Sequence, residues 1–172
     1  MARVWKFGDD IDTDQIVPGR YSPYMTSEAE LPKYAFIEYR PEFAKEVKPG
    51  DIIVAGDNFG CGSSREYAPL ALKKRGIAAI IANGYARIFF RNAINLGIPL
   101  FEDAEAVRQL SDGDRVDIDV RRGIVSLDER TITLSQPPHF VQDILEAGTI
   151  ADYIRKHQRF PGETALSFAP RE

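Results

Sequence analysis

Two kinds of hydrophobic pattern divide the chain. From residue 51 to about residue 101, short apolar runs rich in β-branched residues are separated by helical stretches, whereas beyond residue 111 apolar and polar residues alternate with period two. A continuous apolar run indicates a strand buried on both faces, and strict alternation indicates a strand with one exposed face. The pattern therefore predicts a parallel, helix-covered unit followed by an antiparallel meander.

The parallel unit is predicted to begin with a strand over 51–55. A helix should follow and end at Gly76, because three cations occupy its last turn and glycine readily adopts the left-handed conformation that ends helices. A second strand over 77–82, a helix over about 86–95 and a third strand over 98–101 continue the βαβ arrangement.

The later part of the chain predicts a meander and two helices. Alternating segments over 115–121, 124–127 and 131–134 indicate three short strands, and helices are expected over 140–147 and 149–157. The expected fold class is therefore α/β, with a parallel βαβ core and an antiparallel β-meander.

The first 50 residues are less regular. A short strand is expected over 3–7, and the Asp-rich segment over 8–14 is interpreted as a solvated turn, because it lacks the spacing of a calcium loop. Residues 18–50 combine five prolines with four tyrosines, which indicates an ordered but irregular covering or functional segment. A capping-box spacing over 27–30 predicts a short helix there.

The composition is that of an ordinary globular domain. The chain has 172 residues, 44% of them hydrophobic, and a formal net charge of −4, which suits one domain over 1–158 with a tail over 159–172. It has no long basic block and no apolar run of membrane-spanning length, so we expect neither a nucleic-acid partner nor a membrane anchor. No secretory leader is recognisable, and the expected location is the cytoplasm.

Potential metal ligands are scarce. Cys61 is the only cysteine, and the two histidines, His139 and His157, are distant from it in sequence. These residues cannot form a disulfide, a Cys/His zinc site or an iron–sulfur cluster, so we expect no cofactor in this chain. Cys61 is interpreted as a small packed residue, because the βαβ unit contains no histidine that could act as its base.

The segment after the first buried strand, GDNFGCGSSRE at 56–66, carries the candidate chemistry. Ligands of open α/β sheets bind at the carboxyl ends of the strands. The glycines allow close approach of the backbone, the serines add hydroxyls, and Arg65 offers a fork that matches a carboxylate or a phosphate. With the N–H groups of the following helix start, these features indicate an anion-binding loop.

Other interpretations of this loop stay open. No lysine follows its last glycine, and its spacing differs from G-x-G-x-x-G, so a stand-alone nucleotide-binding module is the weaker interpretation. Ser63 and Glu66 have the spacing of a capping box that would start an ordinary helix. Pro69 leaves the first residue of that helix open, because proline is accommodated only in the first turn.

Three motifs, in order, carry a family resemblance. GDDIDTDQIVPGRY at 8–21, DNFGCGSSRE at 57–66 and YARIFFRNAINLGIPL at 85–100 resemble the small subunits of 3-isopropylmalate dehydratases, a family of the aconitase superfamily. The resemblance extends from about Val4 to near Tyr153. It implies a swivelling β/β/α three-layer domain, which the βαβ-plus-meander pattern fits.

The resemblance also implies a hydro-lyase subunit that isomerises 2-isopropylmalate and 3-isopropylmalate in leucine biosynthesis. A separate large catalytic subunit, in a heterodimer or heterotetramer, would supply a four-iron four-sulfur cluster whose open iron acts as a Lewis acid. By its place in the motif, Ser63 would be the alkoxide base that removes the proton next to the substrate carboxylate. Ser64 and Arg65 would bind that carboxylate, and Asp14 would border the site.

Two departures from the family pattern concern the substrate and its surroundings. Tyr67 occupies a position that is usually histidine, and tyrosine does not titrate near neutral pH. The loop after P-x-R-Y helps to select the substrate side group in this family, so Arg20, Tyr21 and Tyr24 are expected to bind substrate. Residues 21–25 contain no cation, which favours a substrate with an apolar branch. Homocitrate, the substrate of a homoaconitase, and dimethylmalate stay open as alternative substrates. A purely structural partner subunit stays open as an alternative function.

Overall fold

The computed structural model describes residues 1–22 and 27–163. The strands of this part of the chain are β1 (Ala2–Lys6), β2 (Ile52–Ala55), β3 (Ala79–Ala82), β4 (Leu100–Glu102), β5 (Arg115–Asp119), β6 (Ile124–Leu127) and β7 (Arg130–Thr133). Its α-helices are α1 (Thr13–Ile16), α2 (Pro41–Glu46), α3 (Tyr67–Arg75), α4 (Arg87–Asn95), α5 (Ala104–Gln109), α6 (His139–Ala147) and α7 (Ile150–His157). Two 3-10 helices cover Gly19–Tyr21 and Leu31–Tyr34.

The strands form one mixed sheet in the order β4-β3-β2-β1-β5-β6-β7. Strands β1 to β4 pair in parallel, and every residue of β2 and β3 is buried. Strand β5 pairs antiparallel with β1, and β6 and β7 continue as a meander. The predicted parallel core and antiparallel meander are therefore confirmed.

Two hydrophobic clusters show how the sheet is covered. Ile53 and Ile80 belong to a cluster with helical residues such as Leu72, whereas their strand neighbours Ile52 and Ile81 belong to a second cluster. The second cluster also contains the inward residues of the meander, so the sheet curls and its meander covers one face of the parallel strands. Successive strand residues point to opposite faces, which gives a β/β/α arrangement as predicted.

The irregular segment before β2 covers the helical side of the core. Leu31, Phe36 and Phe43 are fully buried, and the Phe36 ring stacks on Phe7 at 4.3 Å between centroids. The α-helix predicted from residue 27 is wrong: a turn over 28–30 leads into the 3-10 helix, because Pro32 has no N–H to donate to the Glu28 carbonyl, as an α-helix would require. Helix α2, which the sequence pattern did not predict, has a proline in its first turn.

Helices α6 and α7 were predicted and are confirmed. Val141 and Ile144 of α6 and Tyr153 of α7 are buried, so both helices contribute to the folded body. The division into a domain over 1–158 and a tail over 159–172 stays a prediction, and residues 164–172 lie outside the described residues. None of the helices described is long and apolar enough to span a bilayer.

Gly60, in the loop between β2 and α3, should be intolerant of substitution. Its φ of +81° is one that L side chains rarely adopt, and an added Cβ would overlap the ring of Phe89 on α4. We expect Gly60→Ala to lower the free energy of unfolding by about 2–4 kcal/mol, measured by urea denaturation. Gly84→Ala is the matched control, because nothing lies within 4 Å of the added carbon there; equal losses in the two variants would contradict the prediction.

Candidate active site

The parallel pairing of β1 and β2 continues beyond both strands. The Gly56 N–H donates to the Gly8 carbonyl at 3.1 Å, the Gly60 N–H to the Ile11 carbonyl at 2.7 Å, and the Thr13 N–H to the Cys61 carbonyl at 2.9 Å. These bonds hold residues 8–13 beside residues 56–61, beyond the carboxyl ends of the two strands. They bring the Asp-rich motif into contact with the Gly-Ser-Ser-Arg loop. The two segments lie about fifty positions apart in the sequence.

Ser63 meets Thr13 at this junction. The Thr13 Oγ1 accepts a hydrogen bond from the Ser63 N–H at 3.2 Å and lies 3.2 Å from the Ser63 Oγ and 3.3 Å from the Ser63 carbonyl oxygen. Thr13 is 2% exposed, whereas Ser63 is exposed. A buried threonine therefore fixes the backbone and the hydroxyl of an accessible serine.

Arg65 is held on the other side of the same junction. Its guanidinium donates to the Asp14 carboxylate, and that carboxylate also accepts the Gly19 N–H at 3.1 Å. The bond to Asp14 raises the pKa of Arg65, so the group is a permanent cation. A Cβ at Gly19 would lie 3.3 Å from the guanidinium, so glycine leaves room for it.

Tyr67 lies beside this cation. The Arg65 carbon Cζ is 5.9 Å from the centre of the Tyr67 ring, within the range of a cation–π contact. Burial raises the pKa of the Tyr67 phenol further, so the group stays neutral. Tyr67 thus offers a ring surface and a neutral hydroxyl rather than an acid–base group of neutral pH.

The alternative interpretation of Ser63 as the start of a capping box does not hold in the structure. Helix α3 begins at Tyr67 with Glu66 as its N-cap, and no side chain caps its first turn. Ser63 is bound to Thr13 instead, and both Ser63 and Ser64 are exposed ahead of the helix. Pro69 lies in the first turn of α3, where its missing N–H needs no partner, and Gly76 ends the helix as predicted, with φ +84°.

The four aspartates of the first motif have separate partners. Asp9 accepts the Asp57 N–H at 2.8 Å, Asp10 accepts the Asn58 side-chain amide at 2.8 Å, and Asp14 binds Arg65. Asp12 is the N-cap of α1 and accepts the Gln15 N–H at 2.7 Å. Hydrogen bonds to a carboxylate stabilise its charged form, which offsets the mutual repulsion of these residues.

The residues expected to select the substrate are only partly described. Arg20 forms an exposed ion pair with Glu38, and its Cζ lies 5.3 Å from the centre of the Tyr21 ring. Tyr21 in turn stacks on Tyr34 with ring centroids 4.4 Å apart. Tyr24, with its neighbours Pro23, Met25 and Thr26, lies outside the described residues.

The described residues do not form a metal site. Over 1–22 and 27–163, no group of three or more His, Cys, Asp or Glu side chains is placed to hold a metal ion. One cysteine in the whole chain is too few for an iron–sulfur cluster. The residues present therefore do not fit an iron–sulfur cluster.

Thr13 and Asp12 are site residues that the sequence pattern did not single out. A signal for Asp12 exists, since Asp12 and Gln15 have capping-box spacing and their side chains make both bonds of that motif. The contact of Thr13 with Ser63 has no local signal, because it depends on strand pairing between segments 50 residues apart.

Comparison with known proteins adds an independent finding. A family model described as the aconitase C-terminal domain matches residues 11–103. The homoaconitase small subunit of Thermus thermophilus is 56% identical over 95% of this chain and 100% of its own length, and 3-isopropylmalate dehydratase small subunit 1 of Deinococcus radiodurans is 48% identical over 95% and 92%. The crystal structure of a 3-isopropylmalate dehydratase from Methanocaldococcus jannaschii matches with a TM-score of 0.83 and 43% identity, covering 91% of this chain and 93% of that one.

The thiol of Cys61 should be poorly reactive at neutral pH. Burial raises its pKa, and the nearby Asp12 and Asp10 carboxylates raise it further. We expect the rate of iodoacetamide alkylation to rise only above the pH at which free cysteine, with a pKa of about 8.5, reacts. Asp10→Asn should lower the midpoint pH of this rise in alkylation rate. A wild-type midpoint pH below that of free cysteine would contradict the interpretation of Cys61 as a packed residue.

Proposed function

We propose, from the premise that this chain belongs to the aconitase C-terminal domain family, that it is the small subunit of a 3-isopropylmalate dehydratase. The chain is a hydro-lyase subunit, like the relatives that it matches over nearly its full length. With a large subunit it would interconvert 2-isopropylmalate and 3-isopropylmalate, by removing water and adding it back at the neighbouring carbon.

The observation that carries the proposal is the convergence of two motifs at one exposed edge. Ser63 and Ser64 present hydroxyls there, Arg65 presents a fixed cation, and Asp14 orients that cation. A dehydration of a hydroxy acid needs a base for a carbon-bound proton and a cation for the adjacent carboxylate. Ser63 would be the base and Arg65 the cation; in the loop before α3, Ser63 is hydrogen-bonded to Thr13 and Arg65 to Asp14.

In the dehydration step, the Ser63 alkoxide would take the proton from the carbon next to the carboxylate. The electron pair of that C–H bond becomes the new double bond, while the hydroxyl leaves the neighbouring carbon as hydroxide. Arg65 and Ser64 would bind the carboxylate, and the positive charge of Arg65 stabilises the negative charge that develops there. Rehydration reverses these events with the hydroxyl added to the other carbon and the proton returned by Ser63.

The partner is expected to complete the site. The four-iron four-sulfur cluster of the reaction would be held by the large subunit, in a heterodimer or heterotetramer, because this chain lacks the ligands for it. The exposure of Ser63 and Ser64 supports a second chain that covers them. A soluble cytoplasmic complex agrees with the biosynthetic role that we propose.

A second candidate is the homoaconitase reaction on homocitrate. It is favoured by the 56% identity to the small subunit from Thermus thermophilus and by the position of Arg20. The Arg20 guanidinium is exposed and paired with Glu38, and a substrate with a third carboxylate could displace Glu38 from it. We favour isopropylmalate because the Glu38 carboxylate already neutralises this cation, which leaves Tyr21 and Tyr34 as the surface for an apolar branch.

The test of the function is isomerase activity of the complex reconstituted from this chain and the large subunit. Ser63→Ala should lower kcat for isopropylmalate by about 100-fold or more, because general-base catalysis contributes about that much. Ser126→Ala, on strand β6 of the meander, is the control and should retain activity. Full turnover in the Ser63→Ala complex would exclude this serine as the base.

The choice of substrate is tested by comparing kcat/KM for the two acids. We expect isopropylmalate to exceed homocitrate by about tenfold or more with the wild-type complex. Arg20→Ala should lower the homocitrate value more than the isopropylmalate value, since homocitrate carries one more carboxylate than isopropylmalate. A preference for homocitrate that is lost in Arg20→Ala would select the second candidate instead.

A further inference from the structure

We infer that Thr13 is a positioning residue that supplies the hydrogen bond on which the negative charge of Ser63 depends. This inference rests on the proposed role of Ser63 as the base. Three atoms of Ser63, its backbone nitrogen, its carbonyl oxygen and its hydroxyl oxygen, lie 3.2–3.3 Å from the Thr13 Oγ1. The buried Thr13 hydroxyl therefore contacts both the backbone and the side chain of Ser63.

The hydrogen-bonding capacity of a hydroxyl limits how these contacts are arranged. The Thr13 hydroxyl has one proton to donate and two lone pairs to accept with. Its oxygen accepts the Ser63 N–H, so one lone pair and one proton remain for the Ser63 Oγ and the Ser63 carbonyl.

Two arrangements follow, one for each protonation state of Ser63. When Ser63 is neutral, its hydroxyl donates to the Thr13 Oγ1 while Thr13 donates to the Ser63 carbonyl. When Ser63 has lost its proton, its oxygen can only accept, and the Thr13 proton turns toward it by rotation about the Cβ–Oγ1 bond. No covalent bond changes within Thr13, and the alkoxide gains a charge-assisted hydrogen bond.

Thr13 is well held for this task. It is 2% exposed, its N–H donates to the Cys61 carbonyl at 2.9 Å, and it is the first residue of α1, which Asp12 caps. A donor fixed before the reaction costs little reorganisation when charge develops. The position of Thr13 thus depends on the same strand pairing that presents Ser63.

The charged groups around Thr13 have other partners. Asp12 caps α1, Asp14 binds Arg65, and no charge is added or removed when Thr13 is replaced by another neutral residue. Cys61, the next titratable group on the loop, contacts Thr13 through its backbone carbonyl. A change in Ser63 chemistry in neutral Thr13 variants would therefore report the lost hydroxyl.

The first experiment needs no substrate and no partner. In a Cys61→Ala background, Ser63→Cys places a titratable thiol beside Thr13, and its pKa is read from thiolate absorbance at 240 nm. Adding Thr13→Val should raise that pKa by about 1, a tenfold change, whereas Thr13→Ser should leave it unchanged. An unchanged pKa with Thr13→Val, or an equal rise with Thr13→Ser, overturns the inference.

The second experiment measures turnover in the reconstituted complex. Thr13→Val should lower kcat about 10- to 100-fold with KM unchanged and move the base-dependent limb of the kcat–pH profile upward, and Thr13→Ser should restore both. Thermal unfolding checks each variant, and Thr13→Ala replaces Thr13→Val if valine prevents folding. An unaltered kcat and an unaltered kcat–pH profile in a folded variant lacking the Thr13 hydroxyl overturn the inference. Full activity of Ser63→Ala would instead reject Ser63 as the base, independently of the thiol titration.

Discussion

The parallel pairing of β1 with β2 is the constraint on which the rest of the site depends. Asp51, 4% exposed, fixes the start of the pair by accepting the Arg3 N–H at 2.9 Å and the Trp5 indole N–H at 3.0 Å. Because side chains alternate between faces, a slip of one residue would exchange the two buried faces of the sheet. The same register continues past the strands and sets which residue of the first motif meets which residue of the loop.

Charge imposes the second constraint, because four aspartates occupy seven consecutive positions. The structure distributes them: two bind groups of the neighbouring loop, one caps α1, and Asp14 binds Arg65. The carboxylates of Asp9, Asp10 and Asp14 therefore connect the two segments. An Asp-rich turn, which reads as solvated in the sequence, is in this fold a set of cross-links that support Ser63 and Arg65.

The sequence predicts well what depends on local pattern and poorly what depends on distant contacts. Continuous apolar runs gave β2 and β3, alternation gave the meander, and Gly76 marked the end of α3. The capping-box rule failed at Ser63 because a tertiary partner, Thr13, competes for the same hydroxyl. Motif resemblance proposed the roles of Ser63 and Arg65, but their supports come from a segment about 50 residues earlier, which no local pattern connects to the loop.

The exposure of Ser63 and Ser64 limits the chemistry that this chain could carry out without a partner. Hydrogen bonds to Thr13 and Asp14 orient Ser63 and Arg65 in the loop before α3, and we propose that this orientation is the contribution of this subunit to catalysis. Electrostatic stabilisation is weak in water, where the interaction of two charges is screened, and becomes strong when water is excluded. We therefore propose that Thr13 and Arg65 alone do not sustain an alkoxide at this exposed serine, and that closure by a second chain turns the oriented hydroxyl into a base.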